Sequence, residues 1–213
     1  KAGDWYFKAA QIARKAYATA TSVEYYEKAS QYIPDTEESR PKQLQIYDGL
    51  GQLYLWQSQI DRAETVVKKM KTLAEAQNDE VAVAKALIRL CDISRDAVQY
   101  EQVVEYAKQV EELCENSTQD MSSLKVDALA HHAFGLNRMH QYEDALPVAK
   151  SALELAEKQG FRSDTVRSHS VIGILSFRLG DIEAAEQSLK LSLSIAEELG
   201  DRRDIAVRSN NLG

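Results

Sequence analysis

Residues 161–200 read FRSDTVRSHSVIGILSFRLGDIEAAEQSLKLSLSIAEELG, and this stretch predicts the fold of the whole chain. Apolar residues recur at helical spacing on both sides of Leu179-Gly180-Asp181, which predicts two amphipathic helices joined by a turn. Gly160 and Gly200 each follow a periodic segment, where a left-handed C-cap is expected because glycine has no Cβ.

The pattern recurs with a period of about 40 residues. LSIAEELG (193–200) aligns with LELAEKQG (153–160) at an offset of 40. Small or β-branched residues recur at nearly the same spacing, at Ala63, Val103, Ala145 and Ala185. Each of them has Ile or Tyr three positions earlier. A fixed period without glycine-rich or proline-rich gaps is typical of a solenoid rather than of one globular core.

Small residues also recur between large ones in the first helix of each repeat, as in Tyr47-Gly51-Tyr54. The small residue of the second helix follows twelve positions later, at Ala63 after Gly51 and at Ala185 after Gly173. Because small residues let helices approach closely, the spacing predicts antiparallel hairpins that stack on their neighbours.

These motifs resemble the tetratricopeptide repeat family, in its longer variant of about 40 residues. The best match is carried by Tyr47, Leu50, Gly51, Tyr54 and Ala63, and the second by Gly173, Gly180, Ala185 and Leu189. The third repeat departs from the pattern: His132-Ala133 stand where Leu-Gly is usual, and Pro147 lies early in its second helix. A proline in the first turn of a helix would cost little.

The resemblance covers nearly the whole chain and implies an all-α fold, a right-handed superhelix of antiparallel helical hairpins. We expect a single solenoid over residues 1–213, with hairpins at about 2–33, 42–78, 79–116, 123–160 and 161–200 and a partial one at 202–213. The chain begins at Lys1 without Met and ends inside a repeat, so we expect it to be a fragment of a longer protein.

The first hairpin carries a second resemblance, through Lys1-Ala2-Gly3, Tyr17-Ala18 and Tyr25-Tyr26. It is similar to the hairpin that opens the repeat region of STAND-type ATPase regulators and of some nucleotide-cyclase-linked signalling proteins. The resemblance implies a regulatory role in a signalling protein.

The composition narrows the function class. The net charge is −7, with 28% charged residues, which argues against general nucleic-acid binding. No apolar run approaches the roughly 20 residues that a membrane span needs. We therefore expect a cytoplasmic protein without nucleic-acid or membrane partners.

Motifs of enzymes and metal sites are missing from the sequence: there is no phosphate loop, GxGxxG, HExxH or CxxC. Adjacent His131 and His132 point to different sides of a helix, although His132 and His169 could approach across neighbouring first helices. Cys91 and Cys114 are expected to be buried, reduced thiols. The sequence predicts no catalytic, cofactor or metal residue, and no enzyme.

The concave side of such a stack is lined by the first helices, where we expect a protein or peptide to bind. The predicted partner-binding residues are Gln52, Trp56, Asp92, Arg95, Phe134, Asn137, Arg138, Arg167, Ile174, Phe177, Arg178 and Asn210.

Two interpretations of these residues stay open. Phe and Arg are frequent binding hot spots, which favours an acidic or carboxylate-bearing peptide with apolar anchors. Alternatively, the Phe residues pack between repeats and the Arg residues pair with carboxylates of the same surface. The carboxylate clamp that some family members use for chaperone tails is a poor match, since it needs Asn and Lys where this chain has Phe134 and Ile174.

Three functions are consistent with the sequence. The first is a non-catalytic interaction scaffold, and the second is the regulatory or sensor repeat region of a larger signalling ATPase or cyclase-linked regulator. The third is a homo-oligomerisation module that dimerises through its exposed C-terminal end.

Overall fold

The computed structural model describes residues 2–34 and 36–200, which form ten α-helices and no β-strand. This confirms the predicted all-α repeat fold. The contacts between helices divide the chain after Val98 into unit 1, residues 1–98, and unit 2, residues 99–213. The expected partial hairpin at 202–213 lies outside the described residues, and one solenoid over the whole chain stays a prediction.

Unit 1 contains five helices, in which each packs against the next and the third also contacts the fifth. They are α1 (Ala2–Lys15), α2 (Thr19–Tyr32), α3 (Arg40–Trp56), α4 (Ile60–Glu75) and α5 (Glu80–Asp96). The largest side chains that are fully buried in this unit are Ile46, Leu53, Leu90 and Val67.

Unit 2 repeats this arrangement, because each of its helices packs against the next and the second also contacts the fourth. The helices are α6 (Tyr100–Asn116), α7 (Ser122–Arg138), α8 (Tyr142–Gln159), α9 (Arg162–Arg178) and α10 (Ile182–Leu199). Its core includes Ala133 and Leu136 of α7, Ala145 and Ala149 of α8, and Leu175 of α9.

Close approach of paired helices depends on the glycines that the sequence singled out. A Cβ on Gly51 would overlap Val67 Cγ2 of α4. A Cβ on Gly173 would lie 2.6 Å from Leu189 Cγ and 3.2 Å from the Ala185 carbonyl oxygen, both in α10. The predicted small residues of the second helices are buried too: Ala63, Val103 and Ala145 are 0% exposed and Ala185 is 3% exposed.

In the third repeat the small-residue contacts are shared between two positions. Ala133 is fully buried in the core cluster that contains Ala145 of α8. Gly135 lies against the preceding helix, where a Cβ would be 2.6 Å from Val104 Cγ2 and 3.2 Å from the Tyr100 carbonyl oxygen. The sequence analysis missed Gly135 because it places only one small residue in each first helix.

The turn after each first helix contains one residue in the left-handed region. In chain order, these residues of the five turns are Tyr17 (φ 57°), Ser58 (57°), Val98 (61°), His140 (62°) and Gly180 (84°). The next backbone N–H can close the turn, as Asp181 N does by donating to Ser176 O at 2.9 Å. Gly160 and Gly200 have φ of 71° and 70°, which confirms the predicted C-caps.

Pro147 differs from the expectation of a first-turn proline. Because α8 begins at Tyr142, Pro147 lies in the second turn, where its missing N–H removes an intrahelical hydrogen bond. The helix nevertheless continues to Gln159, and the Pro147 ring is exposed. Packing of the flanking residues Ala145 and Ala149 in the core stabilises the helix across the proline.

Exchanging the turn residues at Val98 and Gly180 should change stability in opposite directions. A β-branched residue is disfavoured at positive φ, so Val98→Gly should raise the free energy of unfolding, and Gly180→Val should lower it, each by about 1 kcal/mol. A Cβ at Gly180 would meet no atom within 4 Å, so backbone strain is the cause of the loss. Urea unfolding followed by circular dichroism measures both changes, and shifts of the same sign would contradict this explanation.

Gly173→Ala should destabilise the chain, although alanine is the better helix former. Overpacking costs about 1–3 kcal/mol and the gain in helix propensity is about 1 kcal/mol, so we expect a net loss of up to about 2 kcal/mol. Thermal unfolding of the variant is compared with that of Ser163→Ala, an exposed position in the same helix. An unchanged midpoint would mean that α10 shifts to admit the methyl group.

Candidate functional site

The last turn of α9 ends in two consecutive exposed residues, an aromatic one and a cationic one. Phe177 is 61% exposed, and Arg178 is exposed and makes no hydrogen bond or ion pair with residues 2–34 and 36–200. Ile174 is half-buried one turn earlier and therefore borders both side chains. Three of the predicted binding residues thus form one patch, which we call the α9 patch.

Two more predicted residues are engaged by Tyr100 of α6. The Phe134 ring meets the Tyr100 ring edge-on at 6.1 Å between centroids. Arg138 donates from Nε and Nη2 to the Tyr100 hydroxyl oxygen at 3.1 and 3.0 Å, with its guanidinium carbon 5.2 Å from the ring centroid. Asn137, between them in sequence, is half-buried. Phe134 therefore packs against a neighbouring helix, as the second interpretation expects, whereas Arg138 is bound by a tyrosine hydroxyl and by no carboxylate of the described residues.

Arg167 is held by two carboxylates of unit 2. Its Nη2 lies 2.8 Å from Asp127 Oδ1 of α7 and 2.8 Å from Asp164 Oδ1 of its own helix. Burial raises the pKa of Asp164, and the positive charge of Arg167 counteracts that rise. Arg167 thus serves to neutralise two neighbouring carboxylates.

In unit 1, Asp92 and Arg95 belong to a network of charges along α3 and α5. Arg95 Nη1 lies 3.0 Å from Asp92 Oδ1, and its Nε lies 3.4 Å from Asp96 Oδ1. Arg89 joins this group to α3, since its Nε lies 2.7 Å from Asp48 Oδ1 and its Nη1 lies 3.8 Å from Asp92 Oδ2. The predicted pair is therefore largely neutralised within the unit.

Gln52 and Trp56 of α3 lie beside the end of α1. The Gln52 side-chain oxygen accepts a hydrogen bond from Arg14 Nη2. Trp56 is 58% exposed and lines a cavity of about 530 Å³. The other lining residues are Gln11, Arg14, Lys15, Tyr17 and Tyr26, and we call this cavity the α1–α3 pocket.

The sequence analysis missed the residues that α1 and α2 contribute to this pocket. A usable signal existed: Arg14 precedes Gln52 by 38 residues, close to the repeat period, so the ends of α1 and α3 are expected side by side. Asn210, the last predicted binding residue, lies outside the described residues. The binding role of the predicted residues stays a prediction.

The buried histidines each face a glutamate from the preceding second helix. His132 Nδ1 lies 2.8 Å from Glu111 Oε1, and His169 Nε2 lies 3.9 Å from Glu157 Oε1. Within the described ranges, no three His, Cys, Asp or Glu side chains are placed to hold a metal ion.

The cysteines are both free, but they differ in burial. Cys91 is buried as predicted, whereas Cys114 is only half-buried, so that part of the prediction was wrong. Cys114 lies near the end of α6. Burial raises the pKa of both thiols, which keeps them neutral and weakly nucleophilic.

No helix in the part of the chain that the structure describes combines the length and the apolar character needed to cross a membrane.

Comparisons with known proteins agree with this architecture. Residues 126–198 match the family model of the tetratricopeptide repeat. No curated protein sequence matches the chain.

Three solved structures illustrate the shared fold. Aspartyl phosphate phosphatase F from Bacillus subtilis is 15% identical, with a TM-score of 0.81 over 92% of this chain and 52% of its own. A Signal Transduction ATPase with Numerous Domains (STAND) protein with a tetratricopeptide repeat sensor, from Pyrococcus horikoshii, is 16% identical, with a TM-score of 0.81 over 97% of this chain and 31% of its own. A Rap protein complexed with competence and sporulation factor is 12% identical, with a TM-score of 0.78 over 95% of this chain and 56% of its own.

At these identities the likeness concerns the fold alone. The chain spans about half of the phosphatase and of the Rap protein, and about a third of the STAND protein.

His169→Gln should make the stability of the chain less sensitive to mild acid. His169 is 8% exposed, its Nδ1 has no hydrogen-bond partner among the described residues, and burial lowers its pKa below 6.5. The unfolded chain therefore binds this proton at higher pH than the folded chain does. The contribution of His169 to stability is complete above about pH 6.5 and is lost as pH falls toward the lower folded pKa.

Urea unfolding at pH 7.5 and pH 5.5 measures this difference. The decrease in the free energy of unfolding from pH 7.5 to pH 5.5 should be smaller for His169→Gln than for the wild type. In His140→Asn, an exposed control, this decrease should equal that of the wild type. Equal drops in the wild type and His169→Gln would contradict the assignment.

Proposed function

We propose that this chain, which carries tetratricopeptide repeats, is a non-catalytic scaffold that binds a peptide or partner domain through its first helices. The observation that carries the proposal is the α9 patch, in which Ile174 lies one turn before two exposed residues, Phe177 and an Arg178 without a partner among the described residues. Other predicted arginines are engaged, Arg167 by carboxylates and Arg138 by Tyr100.

The chemistry of the α9 patch favours a peptide with a carboxylate beside an apolar side chain. A guanidinium without an ion pair offers a planar set of donors that matches a carboxylate. Phe177 and Ile174 supply the apolar surface that an anchoring side chain would cover. We expect a protein or acidic peptide as the ligand, in the cytoplasm, and no nucleic acid, because the net charge is −7.

The Rap protein complexed with competence and sporulation factor supports a binding role, since the same fold holds a ligand there. The STAND protein with a tetratricopeptide repeat sensor favours a second candidate, a sensor region of a larger signalling protein. In that case the ligand of the α9 patch is an effector or another segment of the parent protein. Dimerisation through the C-terminal end remains a third candidate, which light scattering at several concentrations tests.

A peptide array tests the scaffold proposal directly. The purified chain is applied to peptides that combine acidic, neutral or basic residues with aromatic or aliphatic ones, and the dissociation constants of the bound peptides are measured by fluorescence polarisation. Phe177→Ser with Arg178→Glu should weaken binding of acidic, apolar peptides at least tenfold, because it removes the anchor and inverts the charge.

The matched control is Leu191→Ser with Lys150→Glu, which makes the same kinds of change at exposed positions of the second helices α10 and α8. Circular dichroism establishes that both variants are folded. Equal loss in the two variants, or no loss in either, would move binding away from the α9 patch. Binding confined to segments of the parent protein would favour the sensor role.

A further inference from the structure

The α1–α3 pocket in unit 1 has a composition that differs from the rest of this acidic chain. Its lining holds two cations and three aromatic rings, and no carboxylate: Gln11, Arg14, Lys15, Tyr17, Tyr26 and Trp56. The volume of about 530 Å³ suits a small ligand or a few residues of a peptide. A cationic lining in a chain of net charge −7 is suited to an anion.

The two cations play different parts in the pocket. Arg14 is half-buried, donates a hydrogen bond to the Gln52 side-chain oxygen and lies near Tyr26, while it makes no ion pair with the described residues. Lys15 is exposed and likewise makes no ion pair with them. Arg14 thus offers a guanidinium held in one orientation, and Lys15 adds a flexible charge.

The aromatic side chains supply apolar walls on the open side of the pocket. Trp56 is 58% exposed and Tyr17 is 89% exposed, so both rings have faces that a ligand could cover. Tyr17 is held at the α1–α2 turn, where its φ is 57° and its N–H donates to Arg14 O at 3.0 Å. That turn therefore fixes the tyrosine backbone directly next to the two cations.

We propose that the α1–α3 pocket binds a peptide carboxylate whose neighbouring side chain is aromatic or apolar. Arg14 pairs with the carboxylate, Lys15 adds charge, and Trp56 and Tyr17 cover the side chain. The planar guanidinium matches a carboxylate in a two-point contact, and flat rings suit an aromatic or aliphatic body. The pocket shares no residue with the α9 patch, so this inference stands independently of the proposed function.

The fluorescence of Trp56 provides a direct readout. The chain contains two tryptophans, so in the Trp5→Phe variant Trp56 is the only one left. N-acetylphenylalanine, which combines a carboxylate and a ring, is titrated beside its neutral amide. We expect the acid to change the Trp56 emission with a dissociation constant of about 1 mM and the amide to bind at least tenfold more weakly.

Substitutions in the Trp5→Phe background test the role of each cation. Arg14→Gln should weaken binding of the acid at least tenfold and leave the amide unchanged, and Lys15→Gln should have a smaller effect in the same direction. Lys8→Gln makes the same change of charge at an exposed position of α1 outside the lining and should have no effect. If circular dichroism shows that Arg14→Gln is less stable, Arg14→Lys takes its place in the test. This variant retains the charge and should keep part of the affinity that Arg14→Gln loses.

Further titrations distinguish the two sources of a peptide carboxylate. A comparison of acetyl-Asp-Phe-amide with acetyl-Asn-Phe-amide tests binding of a side-chain carboxylate, whereas N-acetylphenylalanine tests binding of a terminal one. The proposal is overturned if the acid and its amide bind equally, if neither binds at 20 mM, or if Lys8→Gln weakens binding as much as Arg14→Gln. Tighter binding of phenyl phosphate, with competition by inorganic phosphate, would also overturn it by assigning the pocket to phosphate.

Discussion

The close contact between paired helices at glycine is the constraint on which the rest of each unit depends. At Gly173 a methyl group would press on Leu189 and on the Ala185 carbonyl oxygen, and at Gly51 it would overlap Val67. Because backbone cannot yield as a side chain can, the separation of α9 and α10 is fixed most strictly at Gly173. In α3 and α9 the side away from these contacts carries exposed and half-buried residues, and this is where we propose that ligands bind.

Regular spacing of first helices brings side chains about one repeat apart into contact. Arg89 reaches Asp48 of α3, Arg167 reaches Asp127 of α7, and Arg14 reaches Gln52 of α3. The ion pairs of Arg89 and Arg167 are partly exposed and therefore contribute little to stability. Their larger effect is on function, because an arginine already paired with a carboxylate has less to offer a ligand. We therefore expect the cations that the repeat spacing leaves without a carboxylate to be the ones available to a ligand.

Both candidate sites lie where a first helix ends. Arg14 and Lys15 are in the last turn of α1, Trp56 ends α3, and Arg178 ends α9. Cations are favoured at this end, because the helix dipole places partial negative charge there and the last carbonyl groups lack intrahelical partners. The left-handed residue that follows each first helix turns the chain back and leaves the terminal side chains at these sites exposed. The same turn geometry thus recurs at both proposed binding sites.

The amino-acid sequence by itself determined the helices, their turns and the small residues at their contacts. These features follow from periodicities of 3.6 and about 40 residues, and from glycine at positions such as Gly160, Gly180 and Gly200. They can therefore be identified from the order of residue types along the chain. The sequence also placed Phe177 and Arg178 among the binding candidates. Only the tertiary structure decided that Arg167 is occupied by two carboxylates, that Phe134 packs on Tyr100, and that α1 completes a pocket around Trp56. The physical reason is that the partner of a long polar side chain depends on the helix register and on the side-chain rotamer. A change of one turn in the register gives such a side chain a different partner, whereas the repeat pattern of the sequence tolerates that change.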